Sequence, residues 1–393
     1  MENMKENAER ERERVVTVID RKHLVNSLVY AKETLMRRGG SEMDKQVLFD
    51  ADGETLKLKS IHLYECGRSI EIILGKSAAI FKNLVVPKGL IAFCKSIRET
   101  EIRICSTVNE NNQPVFIVSG DDTDYETKPD NALDSDDYPV NPECQQIIAT
   151  IQAADFMTMY EKVVFCAAKE ERKYAMNGVH LEIKNGKMEW CATDGHRLAV
   201  LTHKATTSGM DCDLIIPVQT LELIKKISKV KYPPTIKLCY EKNGRYMSWM
   251  INENIVITCD LVEGNFPRYR DVIPKDTENK MILDREQMKT VCMIGKKLGY
   301  TCLVVDETFC RLSGPDNPGT IRKDILRETG DTGDMSRIAM TTRFLLELIG
   351  IHDENRIELE YEAADRPILY RNQTLSGAES VEYVYVFMPI RPR

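Results

Sequence analysis

The sequence contains the hexapeptide IDRKHL at residues 19–24, and two related hexapeptides follow it, IQAADF at 151–156 and LDREQM at 283–288. Successive copies begin 132 residues apart. Constant spacing between related segments indicates an internal structural repeat. The fold therefore depends on what each of the three copies forms.

Each hexapeptide opens a predicted amphipathic helix. Apolar residues recur after it at intervals of three and four, which places them on one face of a helix. The pattern is clear in the first two copies and weaker in the third. The apolar positions are Leu24, Leu28, Ala31 and Leu35, then Phe156, Tyr160, Val163 and Ala167, then Met288, Cys292 and Gly295.

A hairpin and a second helix follow the first helix. Asn185-Gly186 separates two strands of alternating polarity in the second copy, and Asp52-Gly53 does so in the first. Both dipeptides favour tight hairpin turns. Later in each copy a short β-branched strand leads into a helix, at residues 83–97, 213–227 and 337–351.

These patterns predict the α+β class, with three repeated domains that each pack two amphipathic helices on β-sheet. We expect the domains at residues 15–140, 145–277 and 279–393, after a charged N-terminal extension at residues 1–14. The acidic stretch from Asp121 to Glu143 is expected to be a solvated connecting segment.

The composition is typical of a globular protein, because 42% of the 393 residues are hydrophobic and 29% are charged. No apolar run approaches the roughly 18 residues that a membrane span needs. The N-terminal MENMKENAERERER is unlike a signal peptide, so we expect a cytoplasmic protein without a membrane partner. The twelve cysteines form no C-x-x-C pair, which favours reduced, buried thiols over zinc or redox motifs.

Positive charge is concentrated in the six repeated helices. Their segments carry 22 Lys and Arg against 12 Asp and Glu, although the whole chain has a net charge of −7. One interpretation is helix decoration, because Lys and Arg favour helices and helix ends. The interpretation we prefer is a shared surface that contacts a polyanion backbone without regard to sequence. The segments are residues 20–38, 88–98, 155–173, 217–231, 284–297 and 341–356.

Residues 191–200, CATDGHRLAV, contain the one candidate for catalysis. Asp194 and His196 are two residues apart and point the same way from an extended chain, so acid–base cooperation is geometrically possible. Gly195 between them indicates a tight turn, in which Asp often bonds its own backbone. The chain has no metal-ligand spacing and no cofactor motif, and we predict no metal, no cofactor and no enzyme.

Residues 192–200, ATDGHRLAV, resemble the signature of the bacterial sliding clamp family, the beta subunit of DNA polymerase III. Other segments agree in order, and the likeness extends over residues 15–391. These segments are Val16-Thr17-Val18, Arg21 to Leu28, Met176-Asn177-Gly178, Leu261 to Pro267, Val272-Ile273-Pro274 and Met388 to Arg391.

The resemblance implies a replicative processivity factor that performs no chemical step. Two three-domain subunits would join head to tail as a homodimeric ring around duplex DNA, associated with the nucleoid. Helices would line the hole, and β-sheet would form the outside. The implied partners are the replicative DNA polymerase, the clamp loader and other proteins with a clamp-binding motif. They would insert a peptide with apolar and glutamine anchors into a cleft between the middle and last domains.

The resemblance also implies site residues. The protein-binding cleft would use Met176, Thr193, Gly195, His196, Arg197, Leu198, Pro267, Val272, Val386, Met388, Pro389, Ile390 and Arg391. For DNA, the resemblance implies contacts by Lys173 and Tyr174. The cations of the repeated helices are counted with them: Arg37, Arg38, Lys95, Arg98, Lys225, Lys226, Lys229, Lys296 and Lys297.

Two residues and one edge segment depart from the family pattern. Asp271 replaces a common arginine and is expected to reverse a charge at the cleft rim, and Ala175 replaces a common aromatic residue. The edge of the first domain, residues 121–127, is unusually acidic, which bears on dimer strength. Two alternatives stay open. The acidic edge is compatible with a monomeric, clamp-like adaptor that does not close, and the spacing of Asp194 and His196 is compatible with a hydrolase or nuclease that uses them.

Overall fold

The computed structural model describes seventeen segments of the chain. They are residues 16–35, 42–62, 67–108, 114–120, 122–127, 135–139, 146–170, 174–230, 235–241, 244–275, 277–299, 301–305, 309–314, 317–324, 338–352, 354–376 and 379–390. The predicted N-terminal extension, Arg37, Arg38, Lys173 and Arg391 lie outside them, as does the side chain of Lys229.

The described residues form α-helices and antiparallel strands in regular alternation. The helices are α1 (Arg21–Lys32), α2 (Pro87–Ser96), α3 (Ala153–Val163), α4 (Val218–Val230), α5 (Arg285–Leu298) and α6 (Thr342–Ile351). The strands up to α3 are β1 (Thr17–Asp20), β2 (Val47–Asp52), β3 (Thr55–His62), β4 (Arg68–Lys76), β5 (Ile80–Val85), β6 (Glu101–Val108), β7 (Pro114–Gly120), β8 (Thr123–Glu126) and β9 (Ile147–Gln152).

The strands after α3 continue in the same way. Before α5 they are β10 (Gly178–Lys184), β11 (Lys187–Thr193), β12 (Arg197–Lys204), β13 (Thr206–Thr207), β14 (Cys212–Pro217), β15 (Thr235–Tyr240), β16 (Tyr246–Asn252), β17 (Ile255–Asp260) and β18 (Asn279–Asp284). After α5 they are β19 (Cys302–Val305), β20 (Phe309–Gly314), β21 (Asn317–Asp324), β22 (Ile338–Thr341), β23 (Arg356–Tyr361), β24 (Ile368–Ser376) and β25 (Glu379–Phe387).

The predicted repeat of helices is confirmed. Each hexapeptide leads into a helix, α1, α3 or α5, and each later segment forms a strand followed by α2, α4 or α6. The apolar faces are buried as predicted, with Leu24, Leu28, Met288 and Cys292 all fully enclosed. The first two of these helices are shorter than predicted, because α1 ends at Lys32 and α3 at Val163, so Leu35 and Ala167 lie beyond them.

An Asp-Arg dipeptide explains why the first and third hexapeptides are alike. Asp20 caps α1 by accepting a hydrogen bond from the His23 amide at 2.7 Å, and Asp284 caps α5 through the Gln287 amide at 2.7 Å. The following Arg21 donates from Nη1 to the Cys94 carbonyl near the end of α2, and Arg285 donates from Nε to the Ile349 carbonyl of α6. The dipeptide thus joins the start of one helix to the end of the other.

The chain divides into two compact units, and the larger sheet of each unit combines strands of two sequence copies. The first unit comprises residues 1–153 and 219–261. One of its sheets has the order β1-β6-β7-β8, and the strands of its larger sheet follow the order β9-β15-β16-β17-β4-β3-β2-β5. Pairing of β17 with β4 joins the second copy to the first, with Ile255 opposite Ile72.

The second unit comprises residues 154–218 and 262–393. It contains an eight-stranded sheet of order β14-β10-β11-β12-β25-β24-β23-β18 and a four-stranded sheet of order β21-β20-β19-β22. The helices α5 and α6 pack on each other beside these sheets. Here β12 of the second copy pairs with β25 of the third. The division into three domains at 15–140, 145–277 and 279–393 stays a prediction.

Part of the acidic junction is structured, so the expectation of a wholly solvated connection between Asp121 and Glu143 is wrong. Residues 123–126 form β8, which pairs with β7 and is the last strand of its sheet. Further along, Tyr138 is buried against Leu48 and Ile61. The reason is that two tyrosines of this stretch find apolar partners: Tyr125 lies 5.6 Å from Phe93 between ring centres, and Tyr138 enters a core.

The cysteines of the described residues match the expectation of reduced, buried thiols. The ten cysteines among them are free thiols, nine of them buried, as predicted. Burial raises the pKa of the Cys94 thiol to about 11 and that of Cys292 to about 12. Within the same residues no helix has the length and apolar character that crossing a membrane requires.

Gly178 supplies a test of the packing in the second unit. A Cβ at this position would lie 2.5 Å from the Ile215 side chain and 2.9 Å from the Ile216 carbonyl oxygen. We expect Gly178→Ala to lower the free energy of unfolding by about 1–3 kcal/mol through overpacking. The measurement is the unfolding midpoint in urea.

The matched control is Gly350→Ala in α6, where a Cβ would meet no atom within 4 Å. Alanine in a helix is favoured over glycine by about 0.5–1 kcal/mol, so this control should be neutral or stabilising. Equal destabilisation by both substitutions would contradict the packing described here.

Candidate peptide-binding cavity

A cavity of about 170 Å³ opens on the surface of the second unit, beside the turn between β11 and β12. Its wall is mostly apolar, with a few polar groups, which is the composition of sites that bind apolar anchors. The lining residues are Met176, Thr193, Gly195, His196, Arg197, Leu198, Pro267, Arg268, Tyr269, Val272, Pro367, Val386, Phe387 and Met388.

The structure brings together most of the residues that the family resemblance assigned to a cleft. Of that set, Met176, the residues from Thr193 to Leu198 other than Asp194, Pro267, Val272, Val386 and Met388 line the cavity. Pro389 and Ile390 follow Met388 along the chain without lining the cavity, and the Ile390 amide donates to the Ala339 carbonyl at 2.9 Å. Their role in peptide binding stays a prediction.

Four lining residues were missed by the sequence analysis. Arg268 and Tyr269 directly follow the predicted Pro267, and Phe387 lies between the predicted Val386 and Met388, so their position in the chain could have indicated them. Pro367 gave no signal, because it precedes a strand whose partner the sequence does not identify.

Pairing of β12 with β25 assembles the cavity. The antiparallel register places Leu198 opposite Val386 and Arg197 opposite Phe387. Beyond the last pair, the Met388 amide donates to the His196 carbonyl at 2.9 Å. Residues almost two hundred positions apart in sequence therefore form one wall, over a core that includes Cys191, Val200 and Leu369.

The turn at residues 194–196 is held by its own polar side chains. The Asp194 carboxylate accepts hydrogen bonds from the His196 amide at 2.9 Å and from the Arg197 amide at 3.1 Å. The Thr193 hydroxyl donates to the Arg197 carbonyl at 2.7 Å and accepts from the Gly195 amide at 3.0 Å. Gly195 has a φ of 87°, a left-handed conformation that glycine adopts without strain. The predicted bracing of the turn by Asp194 is confirmed.

The Arg197 side chain is buried beneath this turn, next to two carboxylates. Its guanidinium is stacked between two aromatic rings, 5.3 Å from the centre of Phe165 and 5.0 Å from that of Phe344. It donates to the Phe165 carbonyl at 2.7 Å and forms ion pairs with Asp194, at 3.0 Å, and with Glu347 of α6. Arg197 therefore fixes the floor of the cavity to α6, and its charge is already compensated.

A second polar cluster holds Tyr269 in the cavity wall. The Tyr269 hydroxyl donates to the Glu189 carboxylate, and burial together with this hydrogen bond raises the pKa of the hydroxyl well above its usual value. Arg270 forms ion pairs with Glu189 and Glu182, and its guanidinium lies 4.8 Å from the centre of the Tyr269 ring. These contacts fix the ring so that it presents an apolar face.

The geometry gives the Asp194–His196 pair no catalytic arrangement. Both oxygens of the Asp194 carboxylate accept hydrogen bonds from the turn and from Arg197. Within the described residues, no group hydrogen-bonds to the His196 imidazole, and no cluster of three potential metal ligands occurs. A general base requires an orienting partner and a polar site, and this cavity offers chiefly an apolar wall.

The predicted DNA contacts are distributed over both units. In the first unit Lys95, Arg98 and Lys226 are exposed, and Lys225 is half-buried. In the second unit Tyr174, Lys296 and Lys297 are exposed. Lys226 forms an ion pair with Glu33 at 2.8 Å, and an exposed pair of this kind is weak enough for a phosphate to replace it. Contact with DNA stays a prediction for all of them.

The structure places Asp271, the residue expected to reverse a charge at the rim, beside a lining residue of the cavity, Val272. Asp271 is exposed in the short 3-10 helix Tyr269–Asp271 and does not line the cavity. Arg268, at the start of that helix, does line it. The lining of the cavity therefore includes the cation Arg268, and a charge reversal by Asp271 at the rim stays a prediction. Ala175 lies beside Met176 in the 3-10 helix Tyr174–Asn177 and is half-buried.

Comparison with known proteins identifies relatives of the chain. Residues 150–268 match the family model of the DNA polymerase III beta subunit, central domain. A protein named beta sliding clamp from Rickettsia bellii is 22% identical over 265 residues, which cover 64% of this chain and 68% of the relative. The residues that match the family model include eight of the fourteen that line the cavity.

Solved structures agree over nearly the whole chain. The DNA polymerase sliding clamp of Bacillus subtilis has a TM-score of 0.83 at 16% identity, covering 97% of this chain and 100% of that one. The sliding clamp of Bartonella birtlesii bound to griselimycin has a TM-score of 0.81 at 20% identity, again covering 97% and 100%. The family resemblance is thereby confirmed, and so is the sliding-clamp fold.

Arg197 is expected to act through structure. Replacing it by methionine leaves Asp194 and Glu347 without their shared cation, and breaking a buried pair in this way costs about 3–5 kcal/mol. We expect Arg197→Met to lower the urea midpoint strongly, and Arg197→Lys to recover little because the planar, stacked group is lost.

Arg343→Met is the matched control, because Arg343 is an exposed partner of the same Glu347, at 3.0 Å. Its removal should change the free energy of unfolding by no more than about 0.5 kcal/mol. Similar small effects of Arg197→Met and Arg343→Met would show that the buried pair does not fix the cavity floor.

Proposed function

We propose that this chain is a DNA sliding clamp that works as a head-to-tail homodimeric ring and tethers replication proteins through the cavity beside the 194–196 turn. The observation that carries the proposal is the coincidence of the family match with the cavity. Residues 150–268 contain eight of the fourteen lining residues, among them Met176, Leu198 and Pro267. Docked proteins would be the replicative polymerase, the clamp loader and others that carry an apolar peptide motif.

The charge distribution supports an electrostatic contact with DNA. Cations at the ends of α2 and α5, such as Lys95, Arg98, Lys296 and Lys297, are exposed, whereas the chain as a whole is acidic. Contacts between such groups and phosphates do not depend on base sequence and weaken as salt rises. A closed ring does not need strong contacts, because topology keeps it on the duplex.

Two sheet edges support head-to-tail association of two copies. The edge strand β8 carries exposed Asp124 and Glu126, while the edge strand β21 carries Arg322 and Lys323. Opposite charges on two different surfaces favour a heterologous contact, in which β8 of one copy meets β21 of the next. Exposed apolar side chains of α5, among them Met293 and Leu298, are available to strengthen it.

The acidic edge also motivates the competing function, an adaptor that stays monomeric. A complementary basic edge on the same chain favours the ring over the adaptor, because the acidic charges then have a partner. A catalytic function is disfavoured by the engagement of the Asp194 carboxylate with the turn.

Charge reversal at the two edges tests the ring. We expect the wild-type protein to sediment at twice the 44.9 kDa chain mass. Asp124→Lys with Glu126→Lys should give monomers because both edges are then basic, and Arg322→Glu with Lys323→Glu should do so because both are acidic. Mixing the two variants should restore a dimer, since each then supplies the charge that the other lacks.

A wild-type protein that sediments only as a monomer at micromolar concentration would support the adaptor. Failure of the mixture to dimerise, with both variants folded by circular dichroism, would contradict the contact between β8 and β21.

The docking function is tested with a fluorescent peptide that carries glutamine and apolar anchors. Val272 and Met388 line the cavity and are 54% and 40% exposed, so aspartate at either position should leave the fold intact. We expect Val272→Asp and Met388→Asp each to weaken peptide binding at least about tenfold, by placing a charge against the apolar anchor.

Ile80→Asp is the control, because Ile80 is 83% exposed in the first unit and does not line the cavity. Removal of residues 388–393 should also abolish binding of the peptide. Unchanged affinity in the three cavity variants would refute the assigned site.

A further inference from the structure

Three arginines lie in the cavity wall or directly beside it in sequence, and they differ in their ion-pair partners. Arg197 is compensated by Asp194 and Glu347, and Arg270 is compensated by Glu182 and Glu189. Arg268 is exposed and lines the cavity. No carboxylate of the described residues lies within ion-pair distance of its guanidinium. Among the described residues that line the cavity, Arg268 is therefore a cation without an ion-pair partner, next to an apolar wall.

The backbone fixes where this cation lies. Arg268 precedes the short 3-10 helix Tyr269–Asp271, in which the Asp271 amide donates to the Arg268 carbonyl at 3.1 Å. The adjacent Tyr269 is held by Glu189, and the Tyr269 amide donates to the Pro267 carbonyl at 2.7 Å. Arg268 thus projects from a braced segment between two residues that line the same cavity.

We infer that Arg268 selects docking peptides that carry a carboxylate beside their apolar anchor. The inference rests on the proposed docking function and names the chemistry of its partner, an acidic and apolar peptide. A guanidinium forms charge-assisted, bidentate hydrogen bonds with a carboxylate, and these are stronger and more directional than neutral contacts. A lysine or arginine at the same peptide position would instead meet a like charge.

The expected effect is moderate because Arg268 is exposed. Solvent screens an exposed ion pair, which limits the preference to about twofold to fivefold in affinity. Complementary charge also accelerates association, so the preference should appear partly in the association rate and should fall between about 50 mM and 500 mM salt.

The test uses two fluorescein-labelled peptides with the same glutamine and apolar anchors, one with Asp and one with Asn next to the apolar anchor. The full-length protein should bind the Asp peptide more tightly by the stated factor. Arg268→Met should bind both peptides equally, and Arg268→Glu should prefer a third peptide with Lys at that position. The control Arg103→Met removes an exposed cation of the first unit and should keep the preference for Asp.

The outcomes separate the two levels of the proposal. Equal binding of the Asp and Asn peptides to the wild-type protein overturns the role of Arg268 and leaves the docking function in place. A preference for Asp that survives Arg268→Met overturns it as well, because another group must then read the carboxylate. Absence of binding by either peptide overturns the docking function and, with it, this inference.

Discussion

The pairing of β12 with β25 is the constraint on which the cavity depends. It joins β12, the strand that follows the 194–196 turn, to β25, the last described strand along the chain, with Leu198 opposite Val386. Without this register the apolar residues on the two sides would belong to separate surfaces. Because a shift by one residue would turn each apolar side chain to the other face, the wall exists in one arrangement only.

Polar interactions then hold that arrangement. Asp194 is used by the turn and Arg197 by the aromatic rings and carboxylates around it, so the groups that look catalytic in sequence have structural roles. Compensated charges below the cavity contribute rigidity, while the apolar wall above them stays free to bind. Arg268, which also lines the cavity, has no ion-pair partner among the described residues. Rigid, preformed sites of this kind lose little entropy when a peptide binds.

Local sequence patterns predicted the local structure well, but they did not predict which distant strands pair. The Asn185-Gly186 hairpin, the helix faces and the turn at Gly195 are specified by neighbours in sequence, and both turn residues of the hairpin have positive φ. The pairings of β4 with β17 and of β12 with β25 join different copies, and periodicity within one copy carries no information about them. For the same reason the rings of Phe165 and Phe344 on Arg197 were found only in the structure.

The central claim is that the chain is held on DNA by topology. The direct measurement is retention of the protein on a closed circular plasmid in high salt. Retention is measured before and after a restriction enzyme cleaves the plasmid. Salt removes electrostatic contacts with phosphates but does not open a ring. The account predicts that the protein stays on the circle and leaves the linear DNA. Equal loss from circular and linear DNA would contradict it.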